Sequence, residues 1–301
     1  MNRSQTTTTD LERPSQEGRL PAFVEMLRLD EIRSAWDDIA VGYDRTNTPS
    51  QMSLAHESLR RAGLENDMRF LDVAAGSGAL SIPAAQMGAR VLATDLSPAM
   101  LDLLEARAAG EGLDIETRVM DGHNLDFDDG RFDVTGSQFG VMLFPDLPQA
   151  LSEMVRVVKP GGRVLVSGYG DPNQIEFLGF FVHAVQSVRP DFNGPPSDPP
   201  PLEFQLADPD VFANELSRAG LEDVEVETVK ETTRFRSGEE LFDWVINSNP
   251  IVGAMLRDLD LSDDEQGTIR ETLGKMVRKR AGHDEPAVLT NPVNVGIGVK
   301  R

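Results

Sequence analysis

The chain has 301 residues, 40% of them hydrophobic, and a formal net charge of -21 from 29 Lys and Arg against 50 Asp and Glu. Such a length buries a full core, and one domain with an elaboration is expected. A surface of this sign repels phosphate backbones and anionic lipid, so neither nucleic acid nor a membrane is expected as a partner. The absence of cysteine removes disulfides, thiolate metal sites and a thiol nucleophile. No metal is expected, and with no apolar run of leader or bilayer-spanning length the expected location is the cytoplasm.

Residues 1–19 are polar and threonine-rich and are expected to be disordered. From Pro21, the spacing of Phe23, Met26, Leu27, Ile32, Trp36 and Ile39 predicts one or two amphipathic helices leading into "WDDIAVGYD". A further helix is predicted around Met52 to Ala62, closed by Gly63.

The period then changes. Short apolar strands are predicted at 69–73, 90–94, 115–120, 132–136 and 163–167. Helices alternate with them: Ala79 to Met87, a stretch after Ser97 that Pro98 opens and Gly110 closes, and Leu147 to Val158, stopped by "KPGG". Strands and helices alternating at this spacing imply a parallel sheet covered on both faces.

After Gly170 the rhythm stops. An apolar helix over 173–189 is followed by the proline-rich "PDFNGPPSDPPPLEF", a helix over 212–219 and an alternating strand over 224–234. Two or three helices fill 238–281, with Pro250 as a break and Ser262 as a cap, and "PVNVGIGVKR" closes the chain as a strand. The basic cluster "KMVRKR", residues 275–280, reads as the polar last turn of a helix. The segments read as 1–19, a helical 20–64, a core over 65–170, an insertion over 171–207, and a C-terminal part over 208–301 with a helical lid at 238–285.

The loop "AAGSGAL" follows the first strand and opens a helix, so glycines at 76 and 78 would let backbone approach a ligand at the sheet's carboxyl edge. A nicotinamide-binding loop would read G-x-G-x-x-G, but Ser81 stands at the third position. Asp95 ends the second strand, where ribose hydroxyls bond to either class of nucleotide. Asp72 discriminates, because a buried carboxylate repels pyrophosphate and favours a ligand with an ammonium group.

In order, "LDVAAGSG", "ATDLSPAML", "MDGHNLDFDDGRFDV" and "VKPGGRVLVS" resemble the motifs of the class I S-adenosylmethionine-dependent methyltransferases, in particular those of ubiquinone and menaquinone biosynthesis. The resemblance covers roughly 35–170 and the closing strand. It implies an α/β fold: a Rossmann-like seven-stranded mixed sheet with helices on both faces, its last strand antiparallel between the sixth and fifth, plus the helical lid.

It also implies S-adenosylmethionine as cofactor, with S-adenosylhomocysteine as product, in a site covered by the 20–64 helices. Gly76 and Gly78 would lie under the methionine moiety, with Asp72 and the Ala74 carbonyl near its amino group. Asp95 would hold the ribose, Leu96 and Met100 would sandwich the adenine, and Asp121 and the Gly122 N–H would meet its edge. The Ser137 backbone would face the methionine, and Tyr43 would lie against its tail. The pattern departs at Ala75, where many relatives carry cysteine or glycine, and at Gly122, where many carry alanine.

Each assignment competes with a plainer one. Asp72 is alternatively a strand-end cap, Met100 and Tyr43 core residues, and His123 a loop cap beside the adenine segment. His183, in "FLGFFVHAV", is either a packed core histidine or, with Tyr43, a candidate general base. "FGVMLF", residues 139–144, is either an acceptor wall or ordinary packing. The expected activity is transfer of a methyl group to a small, largely apolar acceptor at carbon, oxygen or nitrogen, through positioning and desolvation. A NAD(P)-dependent oxidoreductase and a noncatalytic regulatory protein of the same fold are the alternatives.

Overall fold

The computed structural model describes residues 28–195, 200–282 and 285–301. The tail over 1–19 and the start of the N-terminal helical segment lie outside them. Helix α1 (Leu29–Thr46) carries Asp30 and Glu31 in its first turn and Arg45 in its last, charges that suit the helix dipole, and α2 (Thr48–Arg61) follows with Pro49 near its start.

The alternating core then runs β1 (Arg69–Val73), α3 (Ser81–Gln86), β2 (Arg90–Asp95), α4 (Pro98–Glu111), β3 (Ile115–Val119), β4 (Phe132–Gln138), α5 (Leu147–Val157) and β5 (Val158–Tyr169). The Ser97 side chain caps α4 by accepting from the Met100 N–H. The helix runs past the expected stop at Gly110 and ends at Gly112, whose left-handed φ of 69° closes it.

The second half is α6 (Glu176–Gln186), α7 (Pro209–Arg218), β6 (Leu221–Phe235), α8 (Gly238–Ile246), α9 (Pro250–Asp258), α10 (Asp263–Arg280) and β7 (Ala287–Lys300). The strands form one sheet in the order β3-β2-β1-β4-β5-β7-β6. The first five are parallel, and β7 runs antiparallel to both of its neighbours. Central strands β1, β2 and β4 are buried almost throughout because helices surround the sheet, whereas β3 and β6 at its edges alternate or expose charge. No helix of the described residues is long and apolar enough to cross a membrane.

Strand β7 begins at Ala287 rather than Pro292, because Ala287, Leu289 and Asn291 already alternate inward. It pairs with β6 from Lys300 against Leu221 to Ala287 against Phe235, while β5 reaches only to Val293. The far ends of β6 and β7 therefore project beyond the sheet, and α6, α8 and α10 pack on them. A run of rings joins this extension to the sheet: Tyr169 to Phe177 at 5.7 Å, Phe177 to Trp244 at 4.7 Å, and Trp244 to Phe235 at 6.0 Å. Glu176 bonds both the Arg280 guanidinium and the Thr290 N–H, which ties α6 to α10 and β7.

Candidate functional site

From β1 the chain winds outward to β2 and β3, and from β4 to β5, so a crevice opens outside the carboxyl ends of β1 and β4. The loop after β1 turns through left-handed φ at Ala74 (57°), Gly76 (54°) and Gly78 (99°). Its shape is fixed by Asp95 at the end of β2, whose Oδ2 accepts from the Gly76 N–H at 2.8 Å and whose Oδ1 accepts from the Ser97 N–H at 2.9 Å.

Beneath this loop, Asp72 is 1% exposed. Its Oδ2 accepts from the Ser81 hydroxyl at 2.6 Å, and its Oδ1 is buried without a partner. Burial pushes this carboxyl up to about 7, although the Ser81 bond pulls the other way. Ser81, which breaks the dinucleotide glycine pattern, is thus the residue that holds the acid.

Past β3, the Asp121 Oδ1 accepts from the His123 N–H at 3.0 Å and from the His123 ring Nδ1 at 2.8 Å. The His123 ring lies 4.6 Å from the Phe144 ring, and its Nε2 is buried and unpartnered. A methyl group on Gly122 would come within 2.6 Å of the Phe144 ring, so glycine is what admits that ring.

Helix α1 crosses over the crevice. Asp37 fastens it to the start of α4, accepting from the Ser97 hydroxyl at 2.5 Å and the Ala99 N–H at 3.3 Å, and Asp44 pairs with Arg107 further along. Tyr43, on the same helix, donates to Gln51 Oε1 at 2.9 Å.

A cavity of about 110 Å³ lies within this frame. It is lined by Tyr43, Asp72, Ala74, Gly76, Asp95, Leu96, Met100, Asp121, Gly122 and His123, so most of the candidate residues meet in one place. A larger cavity of about 520 Å³ adjoins it, and Trp36, Tyr43, Gln51, Phe139, Leu143 and Pro145 line both. Phe139 stands at this boundary with a φ of 56°, strain that a bulky residue keeps only where its surroundings enforce it.

Three of the expected residues lie outside both cavities. Gly78 lines neither cavity; a methyl there would sit 3.0 Å from Leu104, so its role is close packing against α4. Ser137 is fully buried beneath the site and accepts from the Val141 N–H, while Gln138, Phe139 and Gly140 face the cavity instead. His183 is exposed on α6 and lines neither cavity. Tyr43 lines both cavities, and burial holds its phenol above the usual range.

Other wall residues carried little signal. Gln51 is a polar residue on the buried stripe of α2 with Ala55 and Leu59, Phe139 and Phe144 stand out only as members of an apolar segment, and Glu203 sits in a proline-rich stretch without period.

Residues 71–166 match the family model described as a methyltransferase domain. An uncharacterized protein of Mycobacterium tuberculosis is 41% identical over 46% of this chain and 49% of its own length. The chain thus spans about half the length of the first such relatives. A demethylmenaquinone methyltransferase of Renibacterium salmoninarum is 32% identical over 65% of this chain and 86% of its own length.

The chain belongs to the S-adenosylmethionine-dependent methyltransferases. The fold agrees: phosphoethanolamine N-methyltransferase 2 of Haemonchus contortus, solved with phosphomonomethylethanolamine and S-adenosylhomocysteine, superposes with a TM-score of 0.55 at 19% identity, covering 92% of this chain and 61% of that one. The expected sheet of this methyltransferase, with β7 antiparallel between β5 and β6, is the one observed. The buried, unpartnered Asp72 Oδ1 fits a ligand that brings an ammonium group, as S-adenosylmethionine does.

Proposed function

We propose that this methyltransferase transfers the methyl group to a small, largely apolar acceptor seated in the larger cavity. The observation that carries the reading is the wall that the two cavities share, with Tyr43 and Phe139 between a compartment that holds Asp72, Asp95 and Asp121 and one walled mainly by apolar side chains.

In the smaller compartment, Asp72 would pair with the ammonium of the methionine moiety and Asp95 would hold the ribose hydroxyls. Leu96 and Met100 would flank the adenine, with Asp121 and the Gly122 N–H at its edge and the Phe144 ring nearby. When bound, S-adenosylmethionine supplies a methyl group on a sulfonium that is already activated for displacement. What remains for the protein is alignment and exclusion of water, effects that contribute on the order of 7–11 kcal/mol to lowering a barrier. The α1 and α2 segment serves as the cover, and Tyr43 and Gln51 as a neutral polar pair near the point of transfer. A protonated Tyr43 positions and donates rather than abstracting a proton.

The unpartnered acid at Asp72 disfavours the oxidoreductase alternative, since a dinucleotide would bring negative charge toward it. Methyl-labelled S-adenosylmethionine, incubated with the protein and either small apolar amines and phenols or DNA, RNA and acidic protein, tests the reading. Label is expected in a small product, and efficient labelling of the macromolecules would overturn it.

A further inference from the structure

Within the larger cavity one group is not explained by apolar packing. Glu203 lies in a single helical turn, Leu202–Phe204, and is only 9% exposed, yet its Oε2 is buried with no hydrogen-bond partner among the described residues. The turn is held firmly. Gln205 Nε2 donates to the Met142 carbonyl at 2.6 Å and the Phe144 carbonyl at 3.1 Å, and Asn294 Nδ2 donates to the Leu206 and Ala207 carbonyls at 3.0 and 2.9 Å. A carboxyl fixed against an apolar cavity without a partner is costly, and it is retained where something else completes it.

We infer that the larger cavity selects an apolar molecule bearing a protonated amine, whose ammonium group pairs with the Glu203 carboxylate. The inference rests on the methyl-transfer reading for the role of that molecule as acceptor. Among the described residues lining the cavity, Glu203 is the only charged one; its other polar side chains include Gln51, Ser248 and Asn249. A phosphate- or carboxylate-bearing acceptor would find no basic partner among the described residues lining it, and a neutral hydrocarbon would leave Glu203 unpaired.

The remaining wall favours a cation as well. Trp36, Tyr43, Tyr169, Phe177 and Phe181 present aromatic rings, whose faces attract ammonium groups. Burial first, and then the carboxyls of Glu231 and Glu203 with Tyr43, hold the Tyr169 phenol protonated, so it remains a neutral neighbour of the cation. A net charge of -21 concentrates cations around the molecule before any contact is made.

The test is calorimetric titration of the full chain, saturated with S-adenosylhomocysteine, by phenylbutylamine, phenylbutanol and phenylbutyrate, which share one apolar body. Wild type is expected to bind the amine at least about tenfold more tightly than the alcohol, with the carboxylate weakest, and Glu203→Gln to bring the amine-to-alcohol ratio to about one. Equal or tighter binding of the alcohol by wild type, no binding of any probe, or an unchanged ratio in Glu203→Gln would overturn the inference. Should that variant not fold, the wild-type ratio decides. The titration of S-adenosylhomocysteine itself separates the two readings. Its failure to bind would remove the methyl-transfer reading too, whereas its binding without an amine preference would remove only the amine.

Discussion

Asp72 is the residue whose chemistry most depends on its surroundings. Its folded-state carboxyl is pushed up to about 7 by burial, and only the ionised form attracts an ammonium group. Affinity for S-adenosylhomocysteine is therefore expected to hold above pH 7 and to weaken by about tenfold for each unit below it. Removing the Ser81 bond, which lowers the Asp72 value, should move the midpoint upward in Ser81→Ala, and Asp72→Asn should bind weakly with a flat profile. Titrations between pH 5 and 9 check this, and a profile independent of pH in wild type would count against the pairing.

At this scale the strand-end acids were legible because they stand at fixed places beside glycines and strand ends. His183 stands among apolar neighbours in sequence, yet helical spacing turns it outward. Phe177, Phe181, Ala184 and Val185 form the buried stripe, and residue 183 falls off it. Glu203 had no periodic context at all, because the register of a proline-rich loop is set by distant anchors such as Asn294.

Helix α1 is the element that turns an open crevice into a cavity. Its hold on α4 runs through Asp37, which meets both a hydroxyl and a backbone N–H at the helix start, and through the Asp44 to Arg107 pair. Replacing Asp37 with alanine removes those bonds and is expected to cost about 1–2 kcal/mol of stability. It should also weaken S-adenosylhomocysteine binding several-fold, because α1 carries Trp36 and Tyr43 into the wall. Thermal unfolding and titration of the same preparation check both effects; an unchanged ligand affinity would mean that α1 does not act as a cover.

The alternating elements between β1 and β5 were readable because Gly, Pro and Ser punctuate a clear change of period. The start of β7 was not, since Pro292 resembles a boundary but sits within an edge-facing extension whose partner, β6, lies far earlier in the chain.

Across the whole molecule, buried acids oppose the fold at neutral pH. Glu231 is buried on β6, bonded to Asn291 through one oxygen, and its carboxyl is pushed up to about 7 by burial. A raised folded-state value favours the protonated form, so stability is greatest below the unfolded value near 4.5 and declines as pH rises to about 7. Glu231→Gln is expected to escape that decline, gaining on wild type by on the order of 3 kcal/mol between pH 4.5 and 8. Denaturant unfolding at several pH values reads the difference directly, and parallel curves for the two proteins would contradict it.

The central claim is that the compartment holding Asp72 and Asp95 under α1 is an S-adenosylmethionine site. Thermal unfolding of the protein alone and with excess S-adenosylmethionine, S-adenosylhomocysteine, NADH or NADPH tests it most directly. Ligand at about a hundred times its dissociation constant adds roughly 2.7 kcal/mol, a shift of a few degrees for a chain of this size. Stabilisation by the two adenosyl compounds alone is the expected result. No shift with either, or a shift only with a nicotinamide, would contradict the account.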